Sequence, residues 1–397
     1  MVISESPTPA APPVPFFSQA RSFTELWPQI SEHVNAVFDR GKYSHGRQVG
    51  QLERAVAEYT GARHALGVNS GTDALVLLLR AAGIGPGDEV IVPAFTFFAS
   101  ASAVSMAGAR PVFADITADG DYAMDPDSAA DLVTERTRAV MPVHLFSQLA
   151  PMDRLQDLAR RHDLTVLEDS AEGIGMRWDG VHAGLLGAGG VLSFFPTKTL
   201  GALGDAGMIL TDDDDIAQQA AILRHHGRMG KTLDHIAGIS NLSGVSGTNS
   251  KMDDVQAAVL LAKLTRLDAD IARRRQLAEA YDERLRGQPG IHALPRLVPR
   301  PVRSDPVFYV YLVEVEERDA LVEHLAARGI GTETYYPRPL HLQPCYAGPE
   351  HPEGSLPVAE QACKRTLGLP FYPDLTEEQV DVVCGAIADF YAGGADR

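Results

Sequence analysis

The chain has 397 residues, 45% of them apolar and 22% charged, which is enough for two domains and a large core. Its formal charge of −17 disfavours a nucleic-acid or anionic-membrane surface as the main partner, although a few well-placed donors hold a small anion whatever the net charge. No apolar run is long enough to span a bilayer, residues 1–15 lack the pattern of a signal peptide, and Cys345, Cys363 and Cys384 show no metal spacing; a cytoplasmic, reduced location without a metal site is expected.

In chain order, the Pro- and Ala-rich start predicts a flexible arm over residues 1–14. Two helical segments are expected from Phe23 to Tyr59 around the turn at 41–46, the second with Leu52, Val56 and Tyr59 at helical spacing. Strands then alternate with helices. His64 to Val68, Glu89 to Val92, Pro111 to Phe113, Arg138 to Val143 and Leu164 to Glu168 read as strands. Helices are expected from Ser70 through Leu79, near Phe98 to Met106, and from Met152 to Arg161. Such alternation implies a mostly parallel sheet covered on both faces. Gly190 to Leu192 and Met208 to Leu210 add strands, and the acids 212–215 read as the solvated start of a helix to Arg224. Residues 229–250 look like a long loop. Asp253 to Ile271 reads as one helix with two apolar stripes, covered partly by a subunit interface and linking a large domain (15–262) to a small α/β domain (263–397). In the latter, Phe308 to Val315 is β-rich, a helix through Leu321 and Leu325 stops at Gly329, and Thr376-Glu377-Glu378-Gln379 matches a capping box.

Three features fall at the carboxyl ends of the parallel strands, where open α/β sheets bind ligands. Ser70-Gly71-Thr72 opens a helix, where free N–H groups and the helix dipole favour a phosphate; the plain alternative is an N-cap. Glu168-Asp169 ends a strand, so one carboxylate projects into the crevice and needs a cationic or donor partner; the alternative is a structural cap. Lys198 follows two phenylalanines and precedes Gly201, Gly204 and Gly207. Desolvation there would lower its pKa and free the amine as a nucleophile, unless the head reaches solvent past its own stem. A phosphorylated pyridine bearing an aldehyde accounts for all three: phosphate at Gly71 and Thr72, ring nitrogen at Asp169, aldehyde carbon at Lys198. Phe97 would lie over the ring, unless it is an aromatic of the core.

With these motifs, from Pro15 to Tyr391, the sequence resembles the DegT/StrS-type aminotransferases. The shared stretches include Asn69-Ser70-Gly71-Thr72, Pro93-Ala94-Phe95-Thr96-Phe97, Val143-His144-Leu145-Phe146, Glu168-Asp169-Ser170-Ala171-Glu172 and Ser193-Phe194-Phe195-Pro196-Thr197-Lys198. The resemblance implies an aspartate-aminotransferase fold (fold type I), pyridoxal 5′-phosphate attached to Lys198, and Asp169 on the pyridinium nitrogen. It also implies phosphate contacts from Gly71, Thr72 and Ser193, Phe97 against the ring, and Asn249 reaching in from the neighbouring subunit of a homodimer that shares its active sites. Tyr336 and His341 match a stretch near the sugar in relatives. Glu172 stands where Gln or His commonly faces the cofactor's phenolic oxygen, and a carboxylate there is repelled unless protonated or paired. Ser147 and Thr199 replace the usual Gly and Asn.

The implied reaction is transamination of a nucleotide-linked keto sugar with L-glutamate as donor. Glu172 resembles the 4-amino-forming enzymes such as perosamine synthases, which points to dTDP-4-keto-6-deoxyglucose, in an antibiotic deoxysugar pathway of the calicheamicin type. The alternatives are C3 amination of a dTDP-3-keto-6-deoxyhexose, a sugar dehydratase with His in place of the lysine, and a regulatory homologue without turnover.

Overall fold

The central sheet is laid down by β1 (His64–Val68), β2 (Glu89–Pro93), β3 (Arg110–Ala114), β4 (Thr137–Val140) and β5 (Thr165–Asp169). A short hairpin of β6 (Arg177–Trp178) and β7 (Val181–His182) follows, and β8 (Gly189–Ser193) and β9 (Gly207–Thr211) rejoin the sheet. The spatial order is β1-β9-β8-β5-β4-β2-β3, with β8, β5, β4, β2 and β3 parallel and β9 antiparallel to both of its neighbours. The mostly parallel α/β sheet expected from the alternating pattern is therefore present. The structure, a computed structural model, describes residues 13–44, 46–229, 242–301 and 303–394. Most of the arm placed at 1–14 and residues 230–241 of the loop placed at 229–250 lie outside them. Among the described residues no helix is long and apolar enough to cross a membrane.

Both faces of the sheet are covered by helices: α1 (Ala20–Phe38), α2 (Arg47–Thr60), α3 (Gly71–Ala81), α4 (Ala99–Met106), α5 (Pro126–Asp131), α6 (Met152–His162) and α7 (Asp214–Leu223). In α3 the run Ala74 to Leu79 is buried without a break, so this helix is enclosed on all sides and its N-terminus is fixed against β8 and β9. Asp213 caps α7 by accepting from the Asp215 and Ile216 amides, which assigns the acid run its helix-start role.

A helix continuous from Asp253 to Ile271 is not what forms. The chain makes α8 (Asp254–Leu264) and α9 (Leu267–Leu285), broken at Thr265, whose hydroxyl back-bonds to Ala262 O at 2.7 Å. The stripe at Val259 and Ala262 packs against Leu26 and Ile30 of α1, and Ala257 and Leu260 pack with Leu52 and Val56 of α2. Much of the cover for both stripes therefore comes from α1 and α2 of the same chain, with Val255 and Leu264 left partly exposed.

The C-terminal residues build a second core. An antiparallel sheet of β10 (Ile291–Ala293), β12 (Tyr311–Val315) and β13 (Thr366–Leu369) packs with α9, α10 (Arg318–Ala327) and α12 (Glu377–Gly394), through Tyr281, Leu325, Val380, Val383 and Ile387. Gly329, at φ 72°, ends α10 as its position in the sequence predicts. The capping box of α12 is complete: the Gln379 amide donates to Thr376 Oγ1 at 3.2 Å and the Thr376 amide to Gln379 Oε1 at 3.0 Å. Val14 bridges to Ile330 of this unit, and β11 (Ser304–Asp305) pairs back onto β6. Pro357–Arg365 forms α11.

Lys263 ties this framework to the lysine stretch. On α8, buried, it donates to Gly201 O and to Gln19 Oε1, and burial draws its pKa down to about 8. A folded pKa below the ordinary 10.5 means that the unfolded chain binds the extra proton between those values, so the residue's contribution to stability rises with pH from 8 toward 10.5. The urea midpoint of the native protein should therefore improve relative to Lys263→Met as pH is raised from 8 to 10; a difference that stays constant across that range refutes the assignment.

Candidate active site

Successive residues of a strand face opposite ways, and at the end of β5 this separates two carboxylates with different tasks. Glu168, fully buried, accepts from the Gly184, Leu186 and Gly187 amides at 2.8, 2.6 and 2.7 Å and from His144 Nε2 at 2.8 Å. His144 Nδ1 accepts the Ala150 amide at 3.1 Å, which assigns the ring proton to Nε2. Every lone pair of Glu168 is thus engaged in structure. Asp169 faces the other way: Oδ2 accepts from Ser100 Oγ at 2.7 Å and Oδ1 from the Ala171 amide at 3.2 Å, with Thr96 Oγ1 3.2 Å behind Ser100. Its backbone pairs with Pro142 O and the His144 amide, so the carboxylate is held from both chain directions.

Lys198 stands in the loop between β8 and β9, its amide on Phe195 O at 2.9 Å. Its ammonium lies 3.0 Å from Glu172 Oε1 and 4.2 Å from the centroid of the Tyr309 ring. Glu172 Oε2 accepts from the Phe146 amide at 2.8 Å, with Phe146 at φ 60°, a conformation costly for a bulky residue. The turn keeps that shape because Tyr309 N donates to Phe146 O at 2.6 Å and Val307 N to Ser147 O at 3.2 Å. Ser147 therefore belongs to a turn stitched to the segment before β12.

The expectation of a lowered pKa at Lys198 is corrected here. Burial does pull it down, but Glu172, then Tyr309 and Asp169, more than reverse the effect and hold it above the ordinary lysine value. Glu172, which needed a partner, has two in Lys198 and the Phe146 amide.

The helix-start feature serves in two ways. Ser70 Oγ caps α3 by accepting the Asp73 amide at 3.1 Å, and Gly71 and Thr72 form the exposed-amide end of the first turn. A Cβ on Gly71 would lie 2.8 Å from Ser193 Cβ, and one on Gly207 would lie 2.4 Å from Ser70 O, so only glycines let these three segments converge. Phe97 is 59% exposed, which removes it from the core; Phe95 is the core aromatic of that stretch. The Phe97 ring stands 6.4 Å from that of Tyr336, whose buried hydroxyl has no hydrogen-bond partner among the described residues and is held protonated by burial and by the charge of Glu172. His341 is elsewhere in character: fully buried, paired with Glu360 at 3.2 Å. Asn249 is not among the side chains gathered around Lys198; it is exposed and accepts from Lys251 Nζ. Among the described residues no cluster of metal-ligating side chains occurs.

Ser100, Tyr309 and the Phe146 amide went unforeseen. Ser100 had a signal, lying four residues after Thr96 in a helix whose start faces the crevice. Tyr309 was visible only as one residue of a β-rich run.

The sequence over residues 25–388 matches the DegT/DnrJ/EryC1/StrS aminotransferase family, and the chain belongs to it. It is 42% identical over 379 residues to a dTDP-3-amino-3,4,6-trideoxy-alpha-D-glucose transaminase of Streptomyces venezuelae, covering 96% of each chain. It is 41% identical over 381 residues to a "pleiotropic regulatory protein" of Geobacillus stearothermophilus, covering 95% of this chain and 98% of that one. Among solved structures it resembles S. venezuelae DesV in complex with a ketimine intermediate, with a TM-score of 0.88, 41% identity, and coverage of 96% of this chain and 99% of that one.

Removing Glu168 would strand His144 and three buried amides. Glu168→Ala should cost about 3–5 kcal/mol, read as a large fall in the urea midpoint. A loss below about 1 kcal/mol would show that the buried carboxylate is not what holds the end of β5.

Proposed function

We propose that the chain aminates C3 of a dTDP-3-keto-6-deoxyhexose, with L-glutamate as donor, as a homodimer that shares its active sites. The observation that carries the transaminase reading is the placement of Lys198 Nζ, 3.0 Å from Glu172, in the crevice that Asp169 enters from the end of β5. The choice of C3 is supported by the activity of the S. venezuelae relative. The cofactor is pyridoxal 5′-phosphate, and the residues present suit it. Gly71 packs so closely on Ser193 that the Ser193 hydroxyl stands beside the α3 N-terminus, where backbone amides and the helix dipole suit a phosphate. Asp169 offers a buried carboxylate to a ring N–H, and Lys198 an amine for an aldehyde. When bound, the cofactor supplies an electron sink for the charge left as a C–H proton departs.

The protein's own residues supply the rest. The Gly71 and Thr72 amides and Ser193 hold phosphate, Asp169 fixes the ring nitrogen's proton, and Phe97 covers one ring face. Lys198 Nζ binds the aldehyde and, once free, takes and returns the proton as general base and acid. Glu172 would stand beside the cofactor's phenolic oxygen, and its pairing with the ammonium would relieve the repulsion expected of a lone carboxylate there. Tyr336 offers an unpartnered phenol to the sugar. His341 is oriented by Glu360 through Nε2, which leaves Nδ1 without a partner among the described residues. Asn249, exposed and apart from Lys198, suits a contact made with a partner subunit's phosphate.

Glu172 favours a second reading, C4 amination of dTDP-4-keto-6-deoxyglucose. A regulatory role without turnover is opposed by the presence of both Lys198 and Asp169. NMR of the product from thymidine-diphospho 3-keto and 4-keto sugars with glutamate separates these: a 3-amino sugar supports the proposal, a 4-amino sugar transfers it to C4, and no amino sugar from either overturns it. Lys198→Ala should retain bound cofactor while losing at least ~10³-fold in turnover. Near-native turnover in that variant would remove the lysine from the mechanism.

A further inference from the structure

Tyr309 is engaged on every side. Its amide donates to Phe146 O at 2.6 Å, its carbonyl accepts Arg274 Nη1 at 2.8 Å, and its hydroxyl lies 3.1 Å from Thr197 Oγ1, the residue before the lysine. The side chain is 4% exposed, and the Lys198 ammonium rests over its ring face. Packing alone would not require a tyrosine whose edge and face both meet the lysine loop.

We propose that Tyr309 is the positioning residue of Lys198: the face of its ring seats the ammonium within reach of Glu172, and its hydroxyl holds Thr197, so that the amine comes to one place in the crevice. This deepens the reading of Lys198 as the cofactor-binding, proton-moving group and rests on it. The face of an aromatic ring attracts a cation, and more strongly where water is excluded. Glu172 alone would fix the distance of the ammonium but not its direction, since a point charge on a flexible stem swings about a single acceptor. A carboxylate at 3.0 Å and a ring centroid at 4.2 Å together restrict the ammonium far more than either does alone. The hydroxyl bond to Thr197 makes the alignment rigid, because the loop that carries the lysine and the ring beneath it then move together.

The groups that face Lys198 are Glu172 from the turn after β5, Asp169 from β5 and Tyr309 from the segment before β12; Tyr335 and Tyr336 face Glu172 in turn. Of these, Glu172, Tyr309 and Asp169 favour the charged nitrogen, against burial. A nitrogen seated on the ring should keep that preference when it carries the cofactor.

The test uses the holoenzyme with no sugar present and follows the visible absorbance of the lysine-bound cofactor against pH. Tyr309→Leu, and Tyr309→Met as a second variant without the ring, should move the titration midpoint down by about one pH unit, a ~10-fold change in the protonation constant. Tyr309→Phe and Tyr309→Trp keep the face and should stay within about 0.3 units. Tyr309→Phe, lacking the Thr197 contact, should lose several-fold in kcat with KM unchanged. An unmoved midpoint in the ringless variants, or a shift as large in Tyr309→Trp, overturns the proposal. Native holoenzyme without any titrating absorbance on Lys198 would instead sink the cofactor assignment itself, which keeps the two failures apart.

Discussion

A lysine ammonium and a carboxylate held 3.0 Å apart inside a crevice are an expensive arrangement. Both lose water, and an ion pair in such a place adds little net stability even when its geometry is good. Here the cost is met by specific partners: the Phe146 amide on Glu172, and the Tyr309 face on Lys198. Each partner in turn has to be held. Phe146 takes a left-handed backbone conformation to present its amide, and Tyr309 is buried between α9 and the lysine loop. Structure spent on keeping one amine charged and oriented points to chemistry at that amine rather than to packing.

The neighbouring residues Glu168 and Asp169 show how a strand end can separate support from reactivity. With four donors on Glu168, the last turn of backbone before the crevice has no freedom to tilt. Asp169 inherits that rigidity while carrying only Ser100 and one amide. A carboxylate less fully engaged, on a base that cannot move, can offer an oxygen to a bound group without the protein reorganising. Had the register slipped by one residue, the two would exchange faces, and the engaged carboxylate would stand in the crevice.

Much of this was legible in the residues because it depends on local pattern. Strand-helix alternation gave the sheet, Ser70-Gly71-Thr72 gave a helix start, and Gly207 marked a close approach that the 2.4 Å distance to Ser70 O explains. What escaped depends on contacts between distant segments. The pKa of Lys198 follows from Glu172, 26 residues away, and from Tyr309, 111 residues away, neither of which a local window includes. The break between α8 and α9 escaped for the opposite reason. Both sides carry a helical pattern in register, and only the Thr265 hydroxyl, back-bonding to Ala262, shows where one helix stops.

The lysine loop is held from two sides. Arg274 of α9, 1% exposed, has no carboxylate within ion-pair distance among the described residues; it donates to the Tyr309 and Phe371 carbonyls, and burial draws its pKa down to about 10. A guanidinium spent on carbonyls costs desolvation that a leucine would not, so the backbone it fixes must matter. That backbone carries Tyr309, whose ring lies under Lys198, while Lys263 holds Gly201 on the far side of the same loop. The loop is therefore gripped through Tyr309, itself fixed by Arg274 of α9, at one end and from α8 at the other.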